Sequence, residues 1–154
     1  MELMKQHCKI LAVASGGGHW VQLMRLVPAF TGHSMAYATV QREYAEQVPG
    51  ARFYPIRDAT RWDRWGLIVL GWQLLIIIIR ERPDVLITTG AAPGVLSLII
   101  GHWFRVKTIW IDSIANVDSI SMSGQHARKV ADVWLTQWKH LECQDGPRYE
   151  GSVL

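Results

Sequence analysis

Lys9-Ile10-Leu11-Ala12-Val13-Ala14-Ser15-Gly16-Gly17-Gly18-His19 decides the fold. An unbroken apolar run stops at one serine and three glycines. A strand with one face in water alternates apolar and polar residues, whereas one buried on both faces does not. The run therefore predicts an interior strand of a parallel sheet, and the glycines predict a tight turn into a helix. Glycine permits positive φ and lets a ligand approach the main chain. The helix that follows presents free N–H groups and a partial positive charge, which suit a phosphate or diphosphate.

Working outward, Val21, Leu23, Met24, Leu26 and Val27 predict a helix ending near Pro28. Further strands are expected at 34–40, 52–56, 84–90 and 107–112, with a last short one at 133–136. Helical segments are expected at 42–48, 66–79, 93–104 and 125–130, with a polar loop over 113–124. Strands alternating with helices imply right-handed βαβ units, so the chain reads as one α/β domain, 1–154, with a Rossmann-like parallel sheet. Ligands of such sheets bind beyond the carboxyl ends of the strands. Three of those ends carry glycine or small polar residues: Ser15-Gly16, Thr89-Gly90 and Asp112-Ser113.

Composition narrows the class. With 154 residues, 49% hydrophobic and 19% charged, the chain can bury a core and is not disordered. Its formal charge of +3 comes from scattered basic residues without a Lys/Arg run, so no nucleic-acid partner is expected. Eight tryptophans are many for this length, and tryptophan favours either core or apolar–water interfaces. Cys8 and Cys143 make no disulfide framework, and His7-Cys8 with His140-x-x-Cys143 matches no zinc spacing, so neither metal nor cofactor is expected. Residues 1–9 lack an apolar signal-peptide core, which predicts a chain that is not exported.

The glycine turn is not a Walker loop, since no Gly-Lys-Ser/Thr follows, and it lacks a clean GxGxxG. The second strand ends at Thr39-Val40, without the acid that holds a dinucleotide ribose. His19, where the turn becomes helix, could take a proton from a sugar hydroxyl. It could equally brace the turn.

Gly66 to Ile79 holds 14 residues with no charge. As a helix it would be about 21 Å long, short of the ~30 Å hydrocarbon core. Only Gln73 is polar, whereas a surface helix shows a polar face. Two readings lead. The segment is a buried crossover helix, or it lies on or dips into a membrane with Arg61, Trp62, Arg64 and Trp65 as a basic-aromatic anchor and Trp72 on the contacting face; a full span is the remaining case.

The ordered set Ser15–His19, Pro83–Gly90, Ile109–Ser113, Ser119–Gly124, Gln137-Trp138 and Tyr149–Gly151 resembles the Alg-fourteen family. That family is the acceptor-side subunit of the N-glycan N-acetylglucosaminyltransferase, and the likeness is greatest to bacterial relatives of PssD type in exopolysaccharide and capsule assembly. The resemblance implies the N-terminal, acceptor-binding half of a split GT-B glycosyltransferase, distantly similar to MurG. The chain stops about where an interdomain linker would begin, and a separate chain would supply the half that binds the UDP-sugar. The acceptor would be a polyprenyl-diphosphate-linked saccharide, at the cytoplasmic face of the bacterial inner membrane, with the chain peripheral or monotopic. The implied reaction inverts configuration without a metal. His19 is the expected base and Asp112 its rival or the group that orients it. Gly16, Gly17, Gly18, Gly90 and Ser113 would shape the substrate site.

Three features depart from the family. Eukaryotic members carry an N-terminal membrane helix, Asp112 stands where a glutamate is expected, and Trp20 replaces a frequent threonine. Glucuronic acid, galactose and N-acetylglucosamine all stay open as donor sugars. A non-catalytic membrane scaffold for a complete transferase, and a soluble nucleotide-binding module, are the rival readings.

Overall fold

The computed structural model describes residues 7–153. Met1–Gln6, part of the segment read for a signal peptide, and the terminal Leu154 lie outside the described residues. Seven strands form one parallel sheet: β1 (Lys9–Val13), β2 (Ser34–Thr39), β3 (Arg52–Pro55), β4 (Val85–Thr88), β5 (Lys107–Ile111), β6 (Val133–Thr136) and β7 (Arg148–Tyr149), in the order β3-β2-β1-β4-β5-β6-β7. The sheet is Rossmann-like, as expected. The order reverses between β1 and β4, whose ends pair Val13 with Thr88. This is the switch point at which such sheets open a crevice.

Among the described residues the α-helices are α1 (Gly18–Leu26), α2 (Arg64–Glu81), α3 (Ala91–Trp103) and α4 (Met122–Ala127). Alternate residues of β1 divide the core. Leu11 and Val13 face a cluster with Leu70, Leu74 and Ile78 of α2 and Leu98 of α3. Ile10, Ala12 and Ala14 face a second cluster with Trp20 and Leu23 of α1 and Tyr37 of β2. Trp20 stacks on Tyr44 with ring centroids 4.8 Å apart, and its indole N–H donates to Gln47 Oε1 at 2.9 Å. This departure from the family is thus a core side chain.

Some boundaries differ from those expected. The segment 42–48 is a 3-10 helix, Arg42–Gln47. The last helix begins at Met122 rather than Gln125, because the Ser121 hydroxyl caps it by accepting the Gly124 N–H at 2.8 Å. The strand at 133–136 is not the last: β7 adds two residues beside β6, too few to leave a periodic signal.

The apolar segment extends to the 18 residues of α2. Asp63 caps its start by accepting the Gly66 N–H at 2.8 Å, and Arg82, with φ of 46°, ends it in a left-handed turn before Pro83. The helix is buried and exposed at once. Leu70, Leu74, Ile77 and Ile78 pack on the sheet, while Trp65, Ile68, Trp72, Ile76 and Ile79 face outward along nearly its whole length. Gln73 is turned to the chain itself, its Oε1 accepting the Arg57 N–H at 2.8 Å. Trp62 and Trp65, 80% and 77% exposed, stand at one end of this stripe, and Trp103 of α3, 75% exposed, stands beside it. Among the described residues, no helix is long and apolar enough to cross a membrane.

Candidate functional site

The carboxyl ends of β1 and β4 bring the glycine turn against Thr89-Gly90. Gly17 adopts φ of 65°, a conformation that disfavours other residues, and its N–H donates to the Tyr44 hydroxyl at 3.0 Å. The turn thereby delivers His19 into the first turn of α1. The Nδ1 of His19 lies 2.8 Å from the Thr89 carbonyl oxygen, and the Thr89 hydroxyl donates to the His19 carbonyl oxygen at 2.7 Å. A carbonyl can only accept, so Nδ1 carries the proton of the neutral ring. Nε2 then keeps its lone pair, and has no hydrogen-bond partner among the described residues.

Gly90 makes this placement sterically feasible. Its φ is 137°, and a Cβ there would lie 2.6 Å from His19 Cε1 and 2.7 Å from Nδ1. The neighbouring Ala91 is also held at positive φ, 63°. Two consecutive unusual conformations lead into α3, and non-glycine strain of this kind concentrates at functional sites.

A cleft of about 560 Å³ opens here. Ser15, Gly16 and His19 form one wall, and Ala91, Ala92 and Pro93 at the start of α3 another. Val40 and Gln41 after β2, Asp58 to Arg61 after β3, and Ser123 of α4 complete it. Of the residues expected from the sequence, Gly16 and His19 line the cleft directly. Gly17 and Gly18 build the turn, and Gly90 packs against the imidazole.

Asp112 and Ser113 do not line the cleft. Asp112 is buried, and its carboxylate accepts the Ser121 N–H at 2.9 Å, the Ser121 hydroxyl at 2.5 Å, the Trp110 indole N–H at 3.2 Å and the Asn116 amide at 3.4 Å. Its carbonyl oxygen accepts the amides of Gln22 and Gln137, each at 3.1 Å. The group that orients His19 is therefore Thr89, not Asp112. Asp112 organises the 113–121 loop, and Gly124 must lack a side chain because a Cβ would lie 2.8 Å from Asp112 Oδ1. Ser113 stays in that loop, its hydroxyl accepting the Ala115 N–H at 3.3 Å.

Sequence reasoning does not place Gln41, Asp58, Thr60, Arg61 or Ser123 in this cleft. Arg61 reads only as a membrane anchor and Ser123 only as part of the Ser119–Gly124 stretch, while no glycine or motif marks Gln41, Asp58 or Thr60. The available signal was topological: all but Ser123 follow β2 or β3 at the same sheet edge as His19.

Comparison with known proteins agrees with this architecture. "UDP-N-acetylglucosamine transferase subunit ALG14" of Rattus norvegicus is 23% identical over 174 residues, covering 90% of this chain and 79% of that protein. The Homo sapiens protein of the same name is 24% identical over 175 residues, with the same coverage of 90% and 79%. Among solved structures, Acinetobacter baumannii MurG superposes with a TM-score of 0.77 at 9% identity, over 96% of this chain and 46% of MurG. The UDP-N-acetylglucosamine 2-epimerase of Rickettsia bellii gives 0.69 at 13% identity, again over 96% and 46%. The chain thus spans about half the length of these structures, and the sheet has the form of the N-terminal half of a GT-B glycosyltransferase. The model of the family described as "Oligosaccharide biosynthesis protein Alg14 like" matches residues 47–153, and the chain belongs to that family.

Proposed function

We propose that this chain is the acceptor-binding subunit of a two-component inverting glycosyltransferase in oligosaccharide or polysaccharide biosynthesis. A separate chain binds the UDP-sugar and completes the active site across the cleft. The acceptor is a polyprenyl-diphosphate-linked saccharide, met at the cytoplasmic face of a bacterial membrane, in the manner of the PssD-type proteins. The observation that carries this reading is the imidazole of His19, which lines the cleft and is fixed through Nδ1 while Nε2 has no hydrogen-bond partner among the described residues.

In the reaction, Nε2 takes the proton of the acceptor hydroxyl. The oxygen attacks the anomeric carbon from the face opposite UDP, the bond to the diphosphate breaks, and UDP leaves with the electron pair. Configuration inverts. The first turns of α1 and α3 and Arg61 bring positive charge to the cleft, with Asp58 the one acid among the described residues of its lining, and the two helix N-termini suit the acceptor diphosphate. The exposed stripe of α2, with Trp62, Trp65 and Trp72, seats the chain on the membrane with Arg61 and Arg64 at headgroup level.

The test uses this chain with the product of its neighbouring reading frame, a UDP-sugar and a polyprenyl-diphosphate acceptor. His19→Ala is expected to lower turnover by roughly 10²–10⁴-fold while the partner still co-purifies, as removal of a general base does. Full turnover in that variant would leave the chain a scaffold.

A further inference from the structure

A second cavity, of about 520 Å³, runs between α2 and α3 on the outer face. Its walls are Ile68, Trp72 and Leu75 of α2 and Leu96, Ile99 and Trp103 of α3. At Gly71 the α2 wall carries no side chain, and a Cβ added there meets nothing within 4 Å. The one polar side chain in the lining, Gln73, has its oxygen engaged by the Arg57 N–H. The groove is apolar and partnerless, yet it is concave, whereas a flat patch would suffice to lie on a bilayer.

We infer that this groove binds a single isoprenoid chain, the lipid portion of the acceptor itself. The inference rests on the acceptor reading above and adds a subsite to it. The cleft and the groove share no lining residue, but α3 serves both, and their order along it identifies the occupant. The first turn of α3, Ala91 to Pro93, lines the cleft, and the same helix presents Leu96, about 6 Å further along its axis, to the groove. From Leu96 to Trp103 the groove follows α3 for about 10 Å more. In the cleft, Arg61 lies with its guanidinium carbon 4.7 Å from the centre of the Trp62 ring, and Asp58 lines the same wall. One helix therefore offers the free N–H groups of its first turn to the cleft and then a hydrocarbon surface to the groove, in the order in which a polyprenyl diphosphate presents its diphosphate and its chain. Bulk bilayer would cover the outer stripe of α2 without needing that order.

The experiment titrates the full chain with inorganic diphosphate and with geranyl, farnesyl and geranylgeranyl diphosphate below their micellar concentrations. Calorimetry gives the affinity, and the emission of Trp72 and Trp103 reports entry into the groove. Each isoprene unit is expected to raise affinity at least about five-fold, well under the limit of roughly four-fold per fully buried methylene. Gly71→Leu fills the groove from an open helical position. It is expected to keep the wild-type unfolding midpoint and sedimentation with anionic phosphatidylglycerol vesicles, yet to bind all three isoprenoids alike. No length dependence in the wild type, or the same dependence in Gly71→Leu, would overturn the subsite in favour of a general bilayer-facing surface. Neither result bears on turnover in His19→Ala, so the acceptor reading and the groove fail separately.

Discussion

His19 and Thr89 hold each other by two hydrogen bonds of opposite direction, imidazole Nδ1 to carbonyl oxygen at 2.8 Å and hydroxyl to the His19 carbonyl at 2.7 Å. The first sets the tautomer, and the second fixes the backbone from which the ring projects. Thr89→Val removes only the hydroxyl bond and leaves its part-buried acceptor without that donor. A stability loss of about 1–2 kcal/mol is expected in urea unfolding, with turnover reduced less than in any variant that displaces the ring.

Gly90→Ala tests the displacement. Its methyl group would sit 2.6 Å from His19 Cε1 on a backbone with φ of 137°. Turnover is expected to drop by about 100-fold or more, the usual result of moving a reacting group by an ångström. Val21→Ala, on the exposed side of α1, is the control and should keep the wild-type rate. Equal rates in the two variants would show that the imidazole is not held by this packing.

Asp112→Asn separates organisation from catalysis. Four donors converge on the carboxylate, and an amide must turn an N–H₂ toward some of them. A loss of about 2–4 kcal/mol is expected, read as a lower urea midpoint. The refolded fraction should retain much of its turnover. Full stability with turnover abolished would instead make Asp112 a catalytic group.

Ile76→Lys and Ile78→Lys give opposite outcomes although the two residues are neighbours in a run of four isoleucines. Ile76 is 49% exposed on the outer stripe, whereas Ile78 is 2% exposed against the sheet. Ile76→Lys is expected to fold and to leave the vesicle pellet. Ile78→Lys buries a charge in the core and should fail to fold. Thermal melts and vesicle sedimentation of both variants check this, and a folded Ile78→Lys would place α2 differently.

These variants also mark where sequence and structure part company. The strands β1, β4 and β5 are legible because burial on both faces leaves apolar runs that end at Ser15, Thr89 and Asp112. His19 and Gly90 are legible as small or titratable residues at adjoining strand ends. The outer face of α2 is not. A helix apolar all round reads alike whether it meets protein on both sides or on one, and only the position of the sheet distinguishes Ile76 from Ile78. The surroundings of Asp112 are hidden for a related reason. A carboxylate at a strand end reads as a candidate base, and the donors that occupy it come from Trp110 and from the aperiodic 113–121 loop, which leave no signal in the sequence. Gln41, Asp58 and Arg61 lie in connections without periodicity or glycine, so only the strand order collects them beside His19.

The β1–β4 pairing has a kinetic consequence. His19 and Thr89 are 70 residues apart in the chain, and everything between them, including β2, β3 and α2, must be threaded outside the central pair. Closing so long a loop is entropically unfavourable, and contacts of this separation slow folding. The turn at Gly16–Gly18 is synthesised before β4, yet the imidazole gains its orienting partner only when β4 docks. Protection of the amides around Thr89 and Gly90 in a refolding time course should therefore appear together with competence for transfer, which makes the site its own indicator that the sheet has closed.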